Sequence, residues 1–173
     1  MAAADARAPD DAALAALAAD LGHALAARGL RLALAESCTG GWIAKAVTDN
    51  PGASEWFAAG FVTYSDAAKA AALGVASELI ATHGAVSELV VEAMAVGARQ
   101  KTGADAAIAV SGVAGPGGGS PSKPVGLVWF GWSLGDRNWT GQADFQGDRD
   151  AVRRQAVGRA MSVLRNALDR TSA

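Results

Sequence analysis

The spacing of apolar residues changes several times along the chain, and each change marks an element. From residue 11 onward, Leu14, Leu17, Leu21 and Leu25 recur at intervals of three and four, which stripes one face of a helix. Asp10 or Asp11 is placed to cap that helix, and Gly29 stops it. Residues 30–35 form a short apolar run of the length of a buried strand. It leads into Glu36-Ser37-Cys38-Thr39-Gly40-Gly41 and then a helical stretch over 42–48. The reading is strand, tight turn, helix. After the break at Asn50-Pro51-Gly52, residues 56–64 read as a second strand, with Phe57, Phe61 and Val62 supplying β-forming bulk. Ser65 or Asp66 then caps a short helix carrying Lys69. Ser77 and Ser87 each precede a further helical pattern, the second reaching Thr102 with Val90, Val91, Met94 and Ala98 on its apolar side.

The later half reads differently. Residues 104–110 form a third strand that ends in the glycine-rich stretch 111–119. Residues 125–134 and 139–145 pair as an antiparallel hairpin turned at Gly135-Asp136-Arg137-Asn138. Gly147-Asp148 opens a last helix with Val152, Ala156, Ala160, Leu164 and Leu168 on its buried side. Helical crossovers early in the chain predict parallel pairing, and the late hairpin predicts antiparallel pairing. The fold class is therefore α/β: one three-layer α/β/α domain over residues 10–170 with a mixed, partly parallel sheet. Residues 1–9 lack a large apolar cluster and read as a flexible arm.

Composition narrows the function. The 173 residues are 51% apolar, enough for one sizeable core. Fifteen basic against 17 acidic residues give a net charge of −2, no field that would gather nucleic acid. No window approaches the roughly 18 uninterrupted apolar residues of a membrane span, and the N-terminus does not read as an export signal. The single cysteine, Cys38, allows no internal disulfide and fits a reducing compartment. The expectation is a cytoplasmic protein with no membrane and no nucleic-acid partner.

Three turns could carry chemistry. In Glu36-Ser37-Cys38-Thr39-Gly40-Gly41 a strand end delivers small polar side chains to a helix N-terminus, where unpaired amides attract developing negative charge. Ser37, Cys38 or Thr39 is a candidate nucleophile there, and simple helix capping is the competing explanation. The base that such a nucleophile needs is not obvious among the histidines. His23 falls inside the first helix and His83 in a helix-ending turn, and the two make a poor metal set. A lysine made less basic by burial can serve instead, with Lys69 and Lys45 as candidates. The turn Ser111 to Gly119 could point amides at a phosphate or merely connect two strands. Finally, Arg149, Arg153 and Arg154 crowd the first turns of the last helix, where cations oppose the helix dipole unless an anion is near.

Several ordered motifs together resemble the CinA C-terminal domain over roughly residues 14–168. They are Ala35-Glu36-Ser37-Cys38-Thr39-Gly40-Gly41, Gly60-Phe61-Val62-Thr63-Tyr64-Ser65, His83-Gly84-Ala85-Val86-Ser87, Ser111-Gly112-Val113-Ala114-Gly115-Pro116, Lys123-Pro124-Val125-Gly126 and Gly147-Asp148-Arg149. Active members of that family are nicotinamide-nucleotide amidohydrolases, so the resemblance implies hydrolysis of nicotinamide mononucleotide to nicotinate mononucleotide and ammonia. It also implies Ser37 as nucleophile, Lys69 as base and Tyr64 as a relay or orienting hydroxyl, with no metal and no organic cofactor. Charge and backbone availability add Thr39, Gly40 and Gly41 as oxyanion amides, Arg149 for the phosphate, and Ser111, Gly112 and Gly115 along the nucleotide. The chain resembles the stand-alone form of the domain, and a homo-oligomer, a dimer first, is expected. Competing readings are a non-catalytic nucleotide-binding module, an amidase for another small carboxamide, and catalysis through Cys38.

Overall fold

A computed structural model describes residues 8–170. Of the arm expected over 1–9, only Ala8 and Pro9 fall among the described residues. The elements are α1 (Asp11–Ala26), β1 (Leu32–Glu36), α2 (Trp42–Thr48), β2 (Phe57–Val62), α3 (Asp66–Leu73), α4 (Ser77–His83), α5 (Glu88–Thr102), β3 (Ala106–Gly112), β4 (Leu127–Leu134), β5 (Arg137–Asp144) and α6 (Arg149–Arg170), with one turn of 3-10 helix at Ala53–Glu55. Asp10 caps α1 by accepting from the Ala13 amide at 2.8 Å. Ser65 caps α3 in the same way, from Ala68 at 3.1 Å. Ser77 is the first residue of α4, and Ser87, at the N-cap position of α5, makes no side-chain bond to that helix: its hydroxyl donates to the Gly84 carbonyl.

The five strands lie in the order β2-β1-β3-β4-β5. β1 runs parallel to both β2 and β3, while β3, β4 and β5 are antiparallel. This is the mixed sheet the sequence predicts. Alternation along β1 divides the core, because successive side chains leave a strand on opposite faces. Leu32 and Leu34 join Ile108, Phe130 and Trp132 beneath α1, α2 and α6. Ala33 and Ala35 join Ala107 and Ala109 beneath α5. All of these residues are buried, and helices cover both faces, giving three layers. Truncating a fully buried leucine such as Leu21 to alanine removes about 2–5 kcal/mol of stability.

Several boundaries depart from the sequence reading, three of them for reasons the sheet supplies. β2 stops at Val62, which is exposed because β2 is an edge strand. β3 continues through Ser111 and Gly112, which pair with Trp129 and Val128 of β4 instead of opening the turn. The hairpin turn is only Gly135-Asp136, with Arg137 and Asn138 already in β5. A glycine at the first of two turn positions is a favoured two-residue hairpin solution.

Candidate active site

The parallel pairing of β1 and β2 sets the site. Their last paired residues are Glu36 and Val62, and the Thr63 amide donates to the Glu36 carbonyl at 2.9 Å. Both chains therefore leave the sheet side by side, one as Ser37 and the other as Thr63-Tyr64. The cap at Ser65 turns the second chain into α3, and Lys69, one turn in, reaches back under that turn. Its side chain is fully buried. Lys69 Nζ lies 3.2 Å from Ser37 Oγ, 2.8 Å from the Thr63 carbonyl oxygen and 3.4 Å from that of Tyr64. Carbonyl oxygens only accept, so in the neutral amine they take the two N–H groups and the lone pair is left for the Ser37 hydroxyl. Burial lowers the Lys69 pKa from its ordinary value, opposed by the Asp66 carboxylate. An amine so placed is a serviceable base.

The turn that carries Ser37 can be accounted for amide by amide. Ser37 N–H donates to the Val110 carbonyl, Gly40 N–H to Ser37 and Trp42 N–H to Thr39. The buried Glu36 carboxylate takes the amides of Gly41, Ile43 and Ala44 at 2.9–3.1 Å. Only the Cys38 and Thr39 amides have no acceptor in this turn among the described residues. Both residues are buried. Buried amides are rarely left unpaired, and two of them next to a nucleophile can receive an oxyanion. Gly41 opens α2 at φ 91°, in the region glycine favours.

A cavity of about 220 Å³ opens over Ser37 and Lys69, walled by Cys38, Tyr64, Ala85, Val86, Ser111, Gly112, Ala114 and Arg149. Arg149 Nη1 donates to the Gly115 carbonyl at 2.7 Å and Nη2 to the Tyr64 hydroxyl at 3.2 Å. The Ser111 hydroxyl is directed to the Ala85 carbonyl at 2.8 Å. Gly112 has no room for a side chain, since a Cβ there would lie 2.7 Å from Val128 Cγ2 and 2.8 Å from the Leu127 carbonyl oxygen.

The CinA C-terminal domain model matches residues 14–168. The chain belongs to this family. A nicotinamide-nucleotide amidohydrolase PncC of Escherichia coli K12 is 54% identical over 145 residues, covering 83% of this chain and 88% of that protein. A protein of the same name from Pseudomonas putida is 54% identical over 148 residues, covering 86% and 92%. A solved competence-damaged (CinA) superfamily protein from Klebsiella pneumoniae superposes with a TM-score of 0.88 at 43% identity, covering 91% of this chain and 98% of that one.

In this CinA C-terminal domain the residues singled out from sequence separate into two groups. Ser37, Lys69, Tyr64, Ser111, Gly112 and Arg149 share one cavity. Gly115 reaches it through its carbonyl, which holds Arg149. Tyr64 is 63% exposed and its phenol meets Arg149; only the Tyr64 carbonyl meets Lys69. Thr39 is fully buried, and the Gly40 and Gly41 amides are already taken, which moves the available amides to Cys38 and Thr39. Lys45 lies outside the site, paired with Asp49 at 2.5 Å on the exposed side of α2. His23 and His83 are exposed, and no group of three metal-binding side chains occurs among the described residues. Of the three arginines expected near one anion, only Arg149 lines the cavity. Arg154 pairs with Asp11 and Asp150, and Arg153 donates to the Cys38 and Thr39 carbonyls at 3.0 and 2.9 Å. Two contributors lacked an individual role in the sequence reading. Glu36 was signalled by an acid ending an apolar strand just before a helix, whereas Arg153 gave no signal beyond its cluster.

Proposed function

We propose that this chain hydrolyses the carboxamide of nicotinamide mononucleotide, giving nicotinate mononucleotide and ammonia by acyl transfer through Ser37. The observation that carries the mechanism is the buried Lys69 amine 3.2 Å from Ser37 Oγ, with backbone carbonyls at its other two positions. Neutral Lys69 takes the Ser37 proton as Oγ attacks the carboxamide carbon, and the amides of Cys38 and Thr39 receive the charge on the carboxamide oxygen. Protonated Lys69 returns its proton to the departing nitrogen, which leaves as ammonia. Water, deprotonated by the same amine, then cleaves the ester and restores Ser37. The cavity is small for a whole mononucleotide, so the pyridine end enters and the phosphate stays at the mouth, where exposed Arg149 has donors beyond those used on Gly115 and Tyr64. The choice of substrate rests on the similarity to the amidohydrolases named above. A cytoplasmic location is supported by the single cysteine, free and buried.

Cys38 is the weaker nucleophile in this reading. Burial pushes its thiol up to about 12, so the thiolate is scarce at neutral pH. The test is ammonia release from nicotinamide mononucleotide by wild type, Ser37→Ala and Cys38→Ala. Release by wild type and Cys38→Ala, with a loss of at least about 10³-fold in Ser37→Ala, supports the mechanism. Loss confined to Cys38→Ala overturns it.

A further inference from the structure

We propose that Arg153 is a positioning residue for acyl transfer, one that orients both amides facing the oxyanion. The inference rests on the serine mechanism above and adds a second layer to it. Arg153 Nε donates to the Cys38 carbonyl at 3.0 Å and Nη2 to the Thr39 carbonyl at 2.9 Å, a two-pronged grip from α6 on two successive peptide groups more than 110 residues away. The guanidinium lies 4.9 Å from the centre of the Trp42 ring, and a Cβ at Gly40 would come within 3.3 Å of Nη2. It rests directly on the turn.

Peptide geometry turns these contacts into control of the amides. The peptides in this turn are trans, and in a trans peptide the C=O and N–H point in opposite directions. The Cys38 carbonyl shares its peptide with the Thr39 N–H, so the grip on the former aims the latter away from Arg153. The Thr39 carbonyl shares its peptide with the Gly40 N–H, which donates to the Ser37 carbonyl at 3.0 Å. The Ser37 carbonyl in turn shares its peptide with the Cys38 N–H. One prong therefore fixes the Thr39 amide directly, and the other fixes the Cys38 amide through Gly40 and Ser37. Glu36 completes the arrangement by taking the next amides of the helix, Gly41, Ile43 and Ala44. Arg153 does not line the cavity, so it acts on the reaction through the backbone of the turn.

Arg154 supplies a control. Its guanidinium stacks 4.6 Å from the same Trp42 ring but makes no contact with the turn carbonyls. The experiment compares wild type, Arg153→Ala, Arg153→Lys and Arg154→Ala by two readouts, after circular dichroism establishes folding. One readout is kcat and KM for nicotinamide mononucleotide. The other is sulfonylation of Ser37 by methanesulfonyl fluoride, followed by intact mass. In that step the Ser37 Oγ–S bond forms, the S–F bond breaks, fluoride leaves and the serine proton passes to the Lys69 amine. Developing charge on the sulfonyl oxygens calls on the same amides.

The expected result is a fall of about 10²-fold in both kcat and the sulfonylation rate for Arg153→Ala, with KM little changed. Arg153→Lys, which keeps the charge but not the fork, falls in between. Millimolar guanidinium restores rate to Arg153→Ala and has no effect on Arg154→Ala, which behaves as wild type. Unchanged kcat and sulfonylation in Arg153→Ala overturn the proposal. So do a change in KM alone, an equal loss in Arg154→Ala, and failure of both Arg153 variants to fold, which would make the residue structural. If wild type is sulfonylated at Ser37 but releases no ammonia, the substrate reading fails while Arg153 is still judged by the sulfonylation rates. A wild type inert to the reagent overturns Arg153 and the nucleophile together.

Discussion

The two ends of the sheet differ in how their polar groups are used. At the end where β1 and β2 finish, a cavity of about 220 Å³ contains Ser37 and Lys69. At the opposite end a larger one, about 650 Å³, lies between the β4–β5 turn and the last turns of α1, α5 and α6, with Arg28, Arg99 and Arg137 among its walls. Size and positive charge would favour the larger cavity. Two of these arginines, however, serve the fold, and the third, Arg137, lies over the Trp139 ring at 5.6 Å. Arg28 donates to the Ala24 and Leu168 carbonyls at the C-terminal ends of α1 and α6, and Arg99 donates to Ser133 Oγ and the Gly135 carbonyl. Cations suit helix C-termini, where carbonyls lack partners and the dipole is negative. The smaller cavity instead gathers the beginnings of α2, α3 and α6, a buried amine and two amides with no acceptor. The difference teaches where polar groups held in place but left unsatisfied collect: at the carboxyl ends of the parallel strands, where the proposed chemistry is placed.

The strongest way to break this comparison is to remove the amine. Lys69→Met is expected to lower ammonia release by at least about 10³-fold, measured at saturating nicotinamide mononucleotide. Wild-type kcat/KM should rise with pH through the lowered Lys69 pKa, because the proposed mechanism uses the neutral amine. Stability carries the same signature. A lysine whose folded pKa is depressed binds fewer protons folded than unfolded between that pKa and 10.5, so stability increases with pH across the window. Melting temperatures of wild type relative to Lys69→Met should therefore shift in favour of wild type as pH rises. A Lys69→Met enzyme with half the wild-type rate, or a difference in melting temperature that ignores pH, would sink the role of the buried amine.

Much of this was legible in the chain because it is local. The leucine stripe of α1, the Asp10 cap, the β1–turn–α2 sequence and the short helix carrying Lys69 each follow from a few neighbouring residues. The meeting of Ser37 and Lys69 needed one further step, the parallel pairing of adjacent strands. What stayed unread depends on distant contacts. The phenol of Tyr64 turns toward Arg149, a residue 85 positions away, and Arg153 reaches the Ser37 turn from across 114 and 115 positions. The Gly40 and Gly41 amides read as available because the acceptors that take them, the Ser37 carbonyl and the Glu36 carboxylate, cannot be assigned from sequence. Likewise, β3 runs on into Ser111-Gly112 because β4 lies beside it, and no property of those two residues announces that.

A middle-sized effect sharpens the comparison at the cavity mouth. Arg149→Met removes a guanidinium that has donors to spare, and a charge-assisted contact with a phosphate is worth about 1.5–3 kcal/mol, or about 10–100-fold. That loss is expected in kcat/KM for nicotinamide mononucleotide and not for the riboside, which lacks the phosphate. An equal loss for both would mean that Arg149 serves only to hold Tyr64 and the Gly115 carbonyl.

The smallest effect comes from the opposite end, and it tests the comparison most directly because it asks for a dissociation. Arg99→Ala takes a guanidinium from the larger cavity and leaves the Gly135 carbonyl and Ser133 hydroxyl without that donor. Ser133 keeps its bond to Asn138 at 2.7 Å, so part of the network survives. A loss of about 1 kcal/mol is expected, which for a domain of this size lowers the melting temperature by about 2–4 °C. Ammonia release should keep its wild-type kcat and KM, since the changed residue lies beyond the far ends of the strands that present Ser37 and Thr63. A shift in KM without a shift in melting temperature would reverse the assignment of the two ends. The guanidinium groups of the larger cavity would then be serving a ligand, and the helix ends would have been held by something else.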